Sequence, residues 1–477
     1  MISPNFHPAS VRANCEPRSR WGFSLTARSI ALLIAGFAFL IPGLWDERLS
    51  YGMLAWDALV MLAALLDGLR LPKVASLIAS RHWSNAPSLD SQTEIELAIE
   101  NQGTVIVDCF LIDDLPTALR DQEQTAPLRV TAFPRVPAAI RYRVEPQQRG
   151  DCTTGSLYIR YRSPLGLAER WAKAALSQTV RVYPALRTGE EQQIFLARSR
   201  QIDLQLRQTR QRGLGRDFES LREYREGDDL RDICWTASAR RGSLITRQYQ
   251  TERSQPVWIV LDCGRLMRSQ VVAAPRANAT LALPTGSLRA HSKLDHACTA
   301  AVALAQLALF SGDRVGLLAY GQTIQQRLLP GRGAAHLRQM IELLAQLRAE
   351  SSEADHLRAT ALLGRLQPRR SLILWITDLA ETAMRPEVID GAMNLLRRHV
   401  LLFVAMAQPE VDSIAQQRPK NVEEMFRAAA AQEMAGRREL MLARLHEQGA
   451  LTLDLNPEAV TSSVLNQYLM VKERAMV

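Results

Sequence analysis

Two aspartates occupy positions where an α/β protein could carry out metal or carboxylate chemistry. Asp262 follows the apolar run Val257–Leu261, and Asp378 follows the apolar run Leu372–Ile376 and Thr377. Unbroken apolar runs of this kind predict strands buried on both faces, and open α/β sheets bind ligands at the carboxyl ends of their strands. Carboxylates at that edge of the sheet could bind a ligand. In the simpler interpretation, which the sequence favours, both aspartates cap neighbouring helices or pair with arginines.

A second candidate site is the segment Gly213–Gln250, in which acids and arginines alternate at high density. Aromatic or aliphatic residues recur every few positions, which is not typical of a disordered charged tail. The pattern predicts an ordered segment lying on a core, with carboxylates and guanidinium groups in bidentate pairs. A salt-bridged connector without further function explains the same pattern on physical grounds alone. The candidate partner-binding residues are Arg222, Glu223, Tyr224, Arg225, Gly227, Asp228, Asp229, Arg231, Trp235 and Arg240.

Length, charge and cysteine content limit the class of protein. The chain has 477 residues, enough for roughly three domains. Its net charge of +9 suits a protein beside an anionic membrane surface or an acidic partner. Nucleic acid is disfavoured as a partner, because no compact basic run is interleaved with aromatic residues. The six cysteines are scattered without a Cys-x-x-Cys pair, which argues against a zinc site or a disulfide framework and favours a reducing compartment.

The N-terminal part of the sequence predicts a membrane anchor. Residues 1–28 are interpreted as a cytoplasmic tail, largely without regular structure. Two apolar stretches, Ser29–Trp45 and Met53–Leu71, predict a transmembrane helical hairpin over residues 29–72. A second apolar stretch follows the first without a small-residue cleavage site, which argues against a signal peptide. Arginines and lysines flank the outer ends, so the positive-inside rule predicts that both termini lie in the cytoplasm.

The remaining chain divides into two patterns joined by a linker. Residues 81–185 contain short alternating runs separated by turns, which predict a small β-sandwich acting as an interaction or spacer module. Residues 186–250 comprise a linker and the acid- and arginine-rich segment. Residues 251–477 alternate apolar strands with helices, which predicts an α/β fold with a doubly wound parallel sheet. Within it, the irregular stretch 268–291 is interpreted as an insertion that shields or re-purposes the site beside Asp262.

The order of residues in the charged segment carries a resemblance to a known family. Phe218-Glu219, Leu221-Arg222, Tyr224, Gly227-Asp228-Asp229, Arg231, Ile233, Trp235 and Ser238-Ala239-Arg240 stand at the spacing of its signature. The chain closely resembles the bacterial domain of unknown function 58 family, and we refer to Gly213–Gln250 as the signature segment. The resemblance implies a von Willebrand factor A-like domain whose first strand ends in an Asp-x-Ser-x-Ser metal motif. Gly264 and Leu266 replace both serines, so a degenerate Mg²⁺ site at Asp262 and Asp378 is the most that the resemblance implies.

The functional expectation is a protein without catalytic activity of its own. The sequence has no phosphate-binding loop, no nucleophile elbow and no histidine pair at metal-ligand spacing. The resemblance implies a membrane-anchored adaptor or scaffold without a required cofactor in the bacterial inner membrane, with its folded domains in the cytoplasm. It would work with a MoxR-type AAA+ ATPase in protein-complex assembly or stress response. Two alternatives stay open: an enzyme or accessory factor in cell-envelope precursor metabolism that uses Glu219 or Asp228, and a metal-dependent binder of acidic protein segments.

Overall fold

The chain consists of two compact units. The computed structural model describes residues 8–17, 24–39, 47–119, 127–163, 165–185, 193–201, 217–225, 230–250, 255–272, 290–379 and 387–474. Unit 1 comprises Met1–Ala185 and Pro275–Arg289, and unit 2 comprises Leu186–Ala274 and Ala290–Val477.

Unit 1 is built on a nine-stranded antiparallel sheet. The strands of unit 1 are β1 (Val11–Pro17), β2 (Ser24–Leu25), β3 (Leu77–Trp83), β4 (Thr93–Asn101), β5 (Val107–Asp113), β6 (Leu128–Ala132), β7 (Ala138–Val144), β8 (Gly150–Thr154), β9 (Leu157–Arg162), β10 (Ala168–Ala174) and β11 (Gln178–Val182). Of these, β8 and β11 form a separate two-stranded ladder, and the other nine form the main sheet. The order of the main path is β6-β5-β9-β10-β1-β3-β4-β7, and β2 pairs with β10. The end strands β6 and β7 are consecutive and in contact, so the sheet curls into a nearly closed, barrel-like form.

Two predictions for this unit are wrong. The predicted β-sandwich is instead the barrel-like sheet, because alternation of buried and half-buried residues, as in β4, fixes the inner face of a strand but not whether the sheet closes on itself. The predicted unstructured tail contains β1, which lies between β3 and β10. Val11 and Cys15 face inward there, and Cys15 is a buried member of the core.

A buried ion pair crosses the core of unit 1. Arg81 on β3 donates from Nε to Asp113 Oδ2 at 3.1 Å and pairs a second time through Nη2 and Oδ1. Its remaining donors reach Thr154 Oγ1 and the Leu176 carbonyl, both at 2.8 Å, and the Gly155 carbonyl at 3.3 Å. The arginine therefore connects the main sheet to the β8 strand and to the chain between β10 and β11.

The apolar helices of unit 1 are α1 (Ala27–Gly36) and α2 (Glu47–Arg70). The predicted transmembrane hairpin is wrong: within the described residues, only α2, over Tyr51–Arg70, is long and apolar enough to cross a membrane. Helix α1 has ten residues and ends at Gly36, which is followed by a 3-10 turn. Glycine has a low helix propensity, so the long apolar run of the sequence does not become one long helix.

Asp67 fastens the C-terminal part of α2 to the sheet. Its carboxylate accepts hydrogen bonds from Ser163 Oγ at 2.6 Å and from the backbone N–H groups of Leu167 and Ala168 at 3.1 Å. The loop before β10 also contacts the start of α1, because Thr26 donates its hydroxyl to the Gly166 carbonyl at 2.5 Å. The aspartate that makes α2 less apolar thus has a structural role at the junction with β10.

Unit 2 contains a six-stranded mixed sheet in the order β18-β17-β14-β19-β20-β21. Its strands are β14 (Pro256–Asp262), β17 (Arg314–Tyr320), β18 (Ile324–Gly331), β19 (Leu372–Thr377), β20 (Val400–Met406) and β21 (Leu451–Leu455). The predicted doubly wound parallel sheet is wrong: the sheet is mixed, because the edge strand β18 runs antiparallel to β17. Residues 321–323 are too short a connection for the crossover that a parallel strand needs. The other five strands are parallel.

Helices cover this sheet on both faces. The helices of unit 2 are α3 (residues 193–201), α4 (Trp235–Arg241), α5 (Lys293–Phe310), α6 (Gly333–Gln346), α7 (His356–Leu366), α8 (Glu387–Leu396), α9 (Pro409–Gln416), α10 (Val422–Glu447) and α11 (Val460–Glu473). Residues of α7, α8 and α10 pack with Trp258, Trp375 and Phe403 in one core cluster. Helix α5 contacts β14 and β17 and packs on α6 and α11. Strands β14, β19 and β20 are therefore buried on both faces, as their unbroken apolar runs predict.

Two smaller ladders complete unit 2. Strands β12 (Asp217–Glu223) and β13 (Ile245–Gln250) of the signature segment pair antiparallel. Strands β15 (Gln270–Val272) and β16 (Ala290–Ser292) also pair antiparallel and bring together the two ends of the predicted insertion. Residues 273–289, the body of that insertion, lie outside the described residues, so the prediction that it shields the site remains a prediction.

Candidate functional site

Asp262, the last residue of β14, is buried and has a hydrogen-bond donor on each carboxylate oxygen. Oδ1 accepts from the backbone N–H of Gly264 at 2.7 Å, and Oδ2 accepts from the Thr377 hydroxyl at 2.6 Å. Thr377 ends the neighbouring strand β19, so the parallel register of the two strands brings the hydroxyl to the carboxylate. Both donors come from the chain itself, which agrees with the simpler interpretation of this aspartate as a structural group.

Asp378 lies fully buried immediately after β19, with three side chains around it. Its Oδ2 accepts from Lys293 Nζ at 2.5 Å and from Gln408 Nε2 at 3.1 Å. Arg438 Nη1 lies 3.7 Å from Oδ1, and the same guanidinium binds Asp454 through Nη2 at 2.5 Å. We call Asp262, Thr377, Asp378, Lys293, Gln408 and Arg438 the strand-end cluster.

Burial perturbs the charged groups of the strand-end cluster. Burial raises the pKa of Asp262 to about 6; the nearby Asp378 and Glu350 carboxylates add to this shift, and the hydrogen bonds from Thr377 and Gly264 oppose it. Burial also lowers the pKa of Lys293, and the adjacent Asp378 carboxylate opposes that shift. A buried ammonium group is stable only when it is paired, so the contact with Asp378 holds Lys293 in place.

A loop covers the end of β14. The Glu350 N–H donates to the Cys263 carbonyl at 2.7 Å, and the Arg265 N–H donates to the Ser352 carbonyl at 2.9 Å. A Cβ at Gly264 would lie 3.0 Å from the backbone nitrogen of Ala354 and 3.1 Å from Asp262 Oδ1. The position that would carry the first serine of a metal motif is therefore filled by the chain, and glycine fits there because it has no side chain.

The strand-end cluster does not fit a magnesium ion. Asp378 faces an ammonium group at 2.5 Å, and both oxygens of Asp262 accept hydrogen bonds from within the protein. A hard divalent cation requires oxygen ligands with free lone pairs, and an adjacent ammonium group repels it. Within the described part of the chain, no group of three or more His, Cys, Asp or Glu side chains could hold a metal ion. The degenerate Mg²⁺ site at Asp262 and Asp378 stays a prediction, against which this geometry argues.

The signature segment divides into residues that build it and residues that it exposes. Ile233 and Ile245 are buried, and the Cys234 N–H donates to the Ile245 carbonyl at 2.8 Å. The Ser238 hydroxyl donates to the Cys234 carbonyl at 3.0 Å and accepts from the Ile245 N–H at 2.8 Å. Gly242 ends α4 in the left-handed conformation, at φ +70°, which favours glycine. These residues hold α4 against β13.

The exposed residues of the signature segment are aromatic, aliphatic and basic. Trp235 is 67% exposed at the start of α4, and Leu230 is exposed in the preceding 3-10 turn. Arg231 and Arg240 are also exposed, on either side of Trp235 in sequence. Large aromatic and arginine side chains are the residues that contribute most to protein–protein binding, and an exposed tryptophan is unusual on a surface without a partner.

The other predicted partner-binding residues differ in how far they are exposed. Glu223 and Arg225 are exposed, whereas Arg222 and Tyr224 are half-buried. Arg222 donates from Nη1 to the Glu223 carbonyl at 3.1 Å, and the Tyr224 N–H donates to the Leu244 carbonyl at 2.8 Å. Gly227, Asp228 and Asp229 lie outside the described residues.

Sequence reasoning missed Lys293, Gln408 and Arg438. Lys293 was visible as a charged residue at the start of a small-residue and apolar helix, between Ser292 and Asp295 of its capping box. Arg438 lies in a helix with many charged residues, where one buried arginine leaves no distinct signal. A lysine at the start of an otherwise buried helix could have indicated a buried partner, although not which one.

The described residues thus define a two-unit chain: a barrel-like β unit with apolar helices, and a mixed α/β unit that includes the signature segment. Residues 220–424 match the family model for the protein of unknown function DUF58.

Comparisons with other proteins add no functional inference. Among proteins with curated descriptions, none matches this chain. The crystal structure of the conserved hypothetical protein BatB from Bacteroides thetaiotaomicron matches with 14% identity over 46% of this chain and 99% of that chain, at a TM-score of 0.27. The ASH/PapD-like domain 7 of human CEP192 matches with 14% identity over 21% of this chain and 79% of that chain, at a TM-score of 0.16. Similarities this low carry no argument about the chain.

Proposed function

We propose that this chain is a non-enzymatic adaptor that docks a MoxR-type AAA+ ATPase through its signature segment. The observation that supports this proposal is the exposure of Trp235 between Arg231 and Arg240 on a small, well-hydrogen-bonded scaffold. A partner with an apolar pocket rimmed by carboxylates matches this surface, because the tryptophan supplies apolar area and the arginines supply charge complementarity. The ATPase would act on protein complexes, and this chain would recruit it.

The strand-end cluster is a weaker docking site for the same partner. Asp262 and Asp378 are buried, and their carboxylates bind groups of this chain. A partner that reached them would have to displace a lysine and a threonine hydroxyl, and it would leave buried polar groups without partners. We therefore assign docking to the signature segment alone.

We further propose that α2 anchors the chain to the bacterial inner membrane from the cytoplasmic side. Leu54, Leu59 and Leu69 of α2 are each at least 60% exposed, which in water would leave a large apolar surface uncovered. Retention in membranes after alkaline carbonate washing would support the anchor, and complete release would contradict it.

The docking proposal is tested by affinity capture of the detergent-extracted full-length protein from its native cells, with and without ATP. We expect wild type to recover an AAA+ ATPase in a nucleotide-dependent amount. Trp235→Ala, and separately the double variant Arg231→Ala/Arg240→Ala, should lose most of it. Phe426→Ala is the matched control, because Phe426 is 68% exposed on α10 and differs from Trp235 only slightly in exposure.

Two outcomes would overturn the docking proposal. In one, Trp235→Ala retains full capture while its thermal unfolding matches that of wild type. In the other, the bait is recovered alone or only with enzymes of envelope synthesis. The second outcome would favour the enzyme alternative, and turnover of an envelope precursor that is lost in Glu219→Gln or Asp228→Asn would then be the measurement to make. The side chain of Glu219 and all of Asp228 lie outside the described residues.

A further inference from the structure

The strongest inference concerns the ammonium group of Lys293. Its side chain is 2% exposed, and Nζ lies 2.5 Å from Asp378 Oδ2. The backbone of Lys293 is fixed as well, since its N–H donates to the Ser269 carbonyl at 3.0 Å. A long, flexible lysine is ordered here at a cost in side-chain entropy, which the paired charge must offset.

The place that this ammonium group occupies is the usual ligand position of the fold. Strands β14 and β19 are adjacent and parallel, and Asp262 and Asp378 stand at their carboxyl ends. Acidic groups on adjacent strand ends attract a cation, because two carboxylates close together in a buried environment repel each other. The Asp378 carboxylate raises the pKa of Asp262, as expected for two carboxylates that repel each other. A cation at this place relieves the repulsion, and the chain provides one covalently.

The surrounding residues are arranged around this internal cation. Gln408 directs its amide N–H₂, a donor, at the same Asp378 oxygen that binds Lys293. Arg438 adds a second positive charge 3.7 Å from the other oxygen. Gly264 leaves no space for a serine hydroxyl beneath the loop at Ala354. Asp378 is thus surrounded by nitrogen donors of this chain, and the loop beside Asp262 has no space for a further oxygen ligand.

We infer that Lys293 is a resident cation that replaces a divalent metal at the carboxyl ends of β14 and β19. The strand-end cluster then needs no metal to neutralise Asp378, and binding of partners by this chain is independent of Mg²⁺ and Mn²⁺ at this position. Removal of the lysine leaves Asp378 with oxygen atoms that a divalent cation can approach beside Thr377 and Asp262. This inference does not depend on which partner binds the signature segment.

The first test is isothermal titration of the full-length, detergent-extracted wild-type protein with MgCl₂ and with MnCl₂. We expect no saturable heat and no change in melting temperature for either metal. Saturable heat that disappears in Asp378→Asn would overturn the inference, because it would show that a metal binds at Asp378 despite the lysine. An absence of heat in wild type supports the inference without any variant, and Asp378→Asn is needed only to locate a metal that does bind.

The second test is Lys293→Ala, followed by thermal unfolding with EDTA, MgCl₂ or MnCl₂. We expect a lower melting temperature than wild type in EDTA and a partial recovery with MnCl₂. The recovery should be absent from Lys293→Ala/Asp378→Asn, in which the carboxylate has been removed. A folded Lys293→Ala protein that no divalent cation stabilises would contradict the replacement of a metal by the lysine. Loss of ATPase capture in these variants would bear on the docking proposal instead, so the two failures are distinguishable.

Discussion

The two buried ion pairs of this chain, Arg81–Asp113 in unit 1 and Lys293–Asp378 in unit 2, contain the same kinds of charge but stand in different surroundings. Arg81 uses its planar guanidinium to bind one carboxylate, one hydroxyl and two backbone carbonyls. Lys293 presents a single ammonium group to one carboxylate, at the end of a sheet rather than inside one. Arginine suits a junction that needs several directional donors, and lysine suits a position that needs a compact point charge.

The difference indicates which of the two pairs is structural and which occupies a ligand position. Arg81 ties β3 to the chain at Thr154, Gly155 and Leu176, so its contacts are distributed over several segments of unit 1. The contacts of Lys293 converge on Asp378, whose other neighbours, Gln408 and Arg438, both come from the connection between β20 and β21. The Arg81–Asp113 pair thus links segments of the barrel-like sheet, whereas the Lys293–Asp378 pair occupies the ligand position at the carboxyl ends of β14 and β19.

The largest effect is expected for Arg81→Met. Removal of the guanidinium leaves Asp113 buried with only the hydroxyl of Tyr142, which donates to Oδ2 at 2.5 Å. Loss of one partner of a buried ion pair typically costs about 3–5 kcal/mol of unfolding free energy. Thermal or denaturant unfolding of the detergent-extracted protein measures this loss. The double variant Arg81→Met/Asp113→Asn should recover part of it, and equal stability of single and double variants would show that the pair is not the cause.

A smaller effect is expected for Lys293→Met. Asp378 keeps Gln408 and Arg438 after the ammonium group is lost, so its charge is not left without partners. We expect a loss of about 1.5–3 kcal/mol, the range for a hydrogen bond to a charged group. The same unfolding measurement applies, with Arg81→Met beside it. A loss as large as that of Arg81→Met would remove the contrast between the two pairs.

Sequence reasoning located the main elements of unit 2 because its buried strands have no alternation. The runs ending at Asp262 and Asp378 predicted two buried strands, which the structure pairs side by side, and the pattern after Lys293 predicted α5. It did not locate β1 of unit 1, because Val11–Pro17 alternates only small apolar residues with polar ones. The partner strand β10 is more than a hundred residues away in sequence, and no local pattern reports such a pairing.

The contents of the strand-end cluster could be predicted only in part, for a similar reason. The two aspartates follow from strand position, but the partner of Asp378 lies 85 residues earlier in the chain. Lys293 is buried beside Asp378 only when α5 packs on β14, and no local sequence pattern indicates that packing. In contrast, the three-residue connection before β18 is a local signal of its antiparallel direction, because a parallel strand needs a much longer crossover.

Gly264→Ser tests whether the loop over β14 closes the strand-end cluster. The substitution supplies the first hydroxyl that a metal motif requires, but its Cβ would stand about 3.0 Å from the Ala354 nitrogen. Overpacking of this kind typically costs about 1–3 kcal/mol. We therefore expect a lower melting temperature without gain of Mg²⁺ binding, measured by unfolding and titration. Gly364→Ser on α7 is the matched control, because a Cβ at Gly364 would meet nothing within 4 Å. A stable Gly264→Ser protein that binds Mg²⁺ would show that the loop is not a barrier.

The smallest effect is a dependence of stability on pH that arises from two buried groups of unit 2. The pKa of Asp262 is raised to about 6, so the folded chain holds a proton there that the unfolded chain releases, and stability falls as the pH rises through 6. Burial lowers the pKa of His356 to about 4, against the influence of Glu387, Asp355 and Glu353. The unfolded chain protonates this histidine first, so stability falls as the pH drops from 6.5 to 4.

These two contributions oppose each other between pH 4 and pH 6, where wild type should show little net slope from them. Asp262→Asn should leave a stability that rises with pH across this interval, because only the histidine contribution remains. His356→Asn, whose side-chain oxygen can still accept from the Tyr320 hydroxyl, should leave a stability that falls with pH. Denaturant unfolding at several pH values measures both slopes. A stability that rises with pH in both variants would mean that Asp262 is already ionised between pH 4 and pH 6, and a stability that falls with pH in both would mean that the pKa of His356 is not lowered.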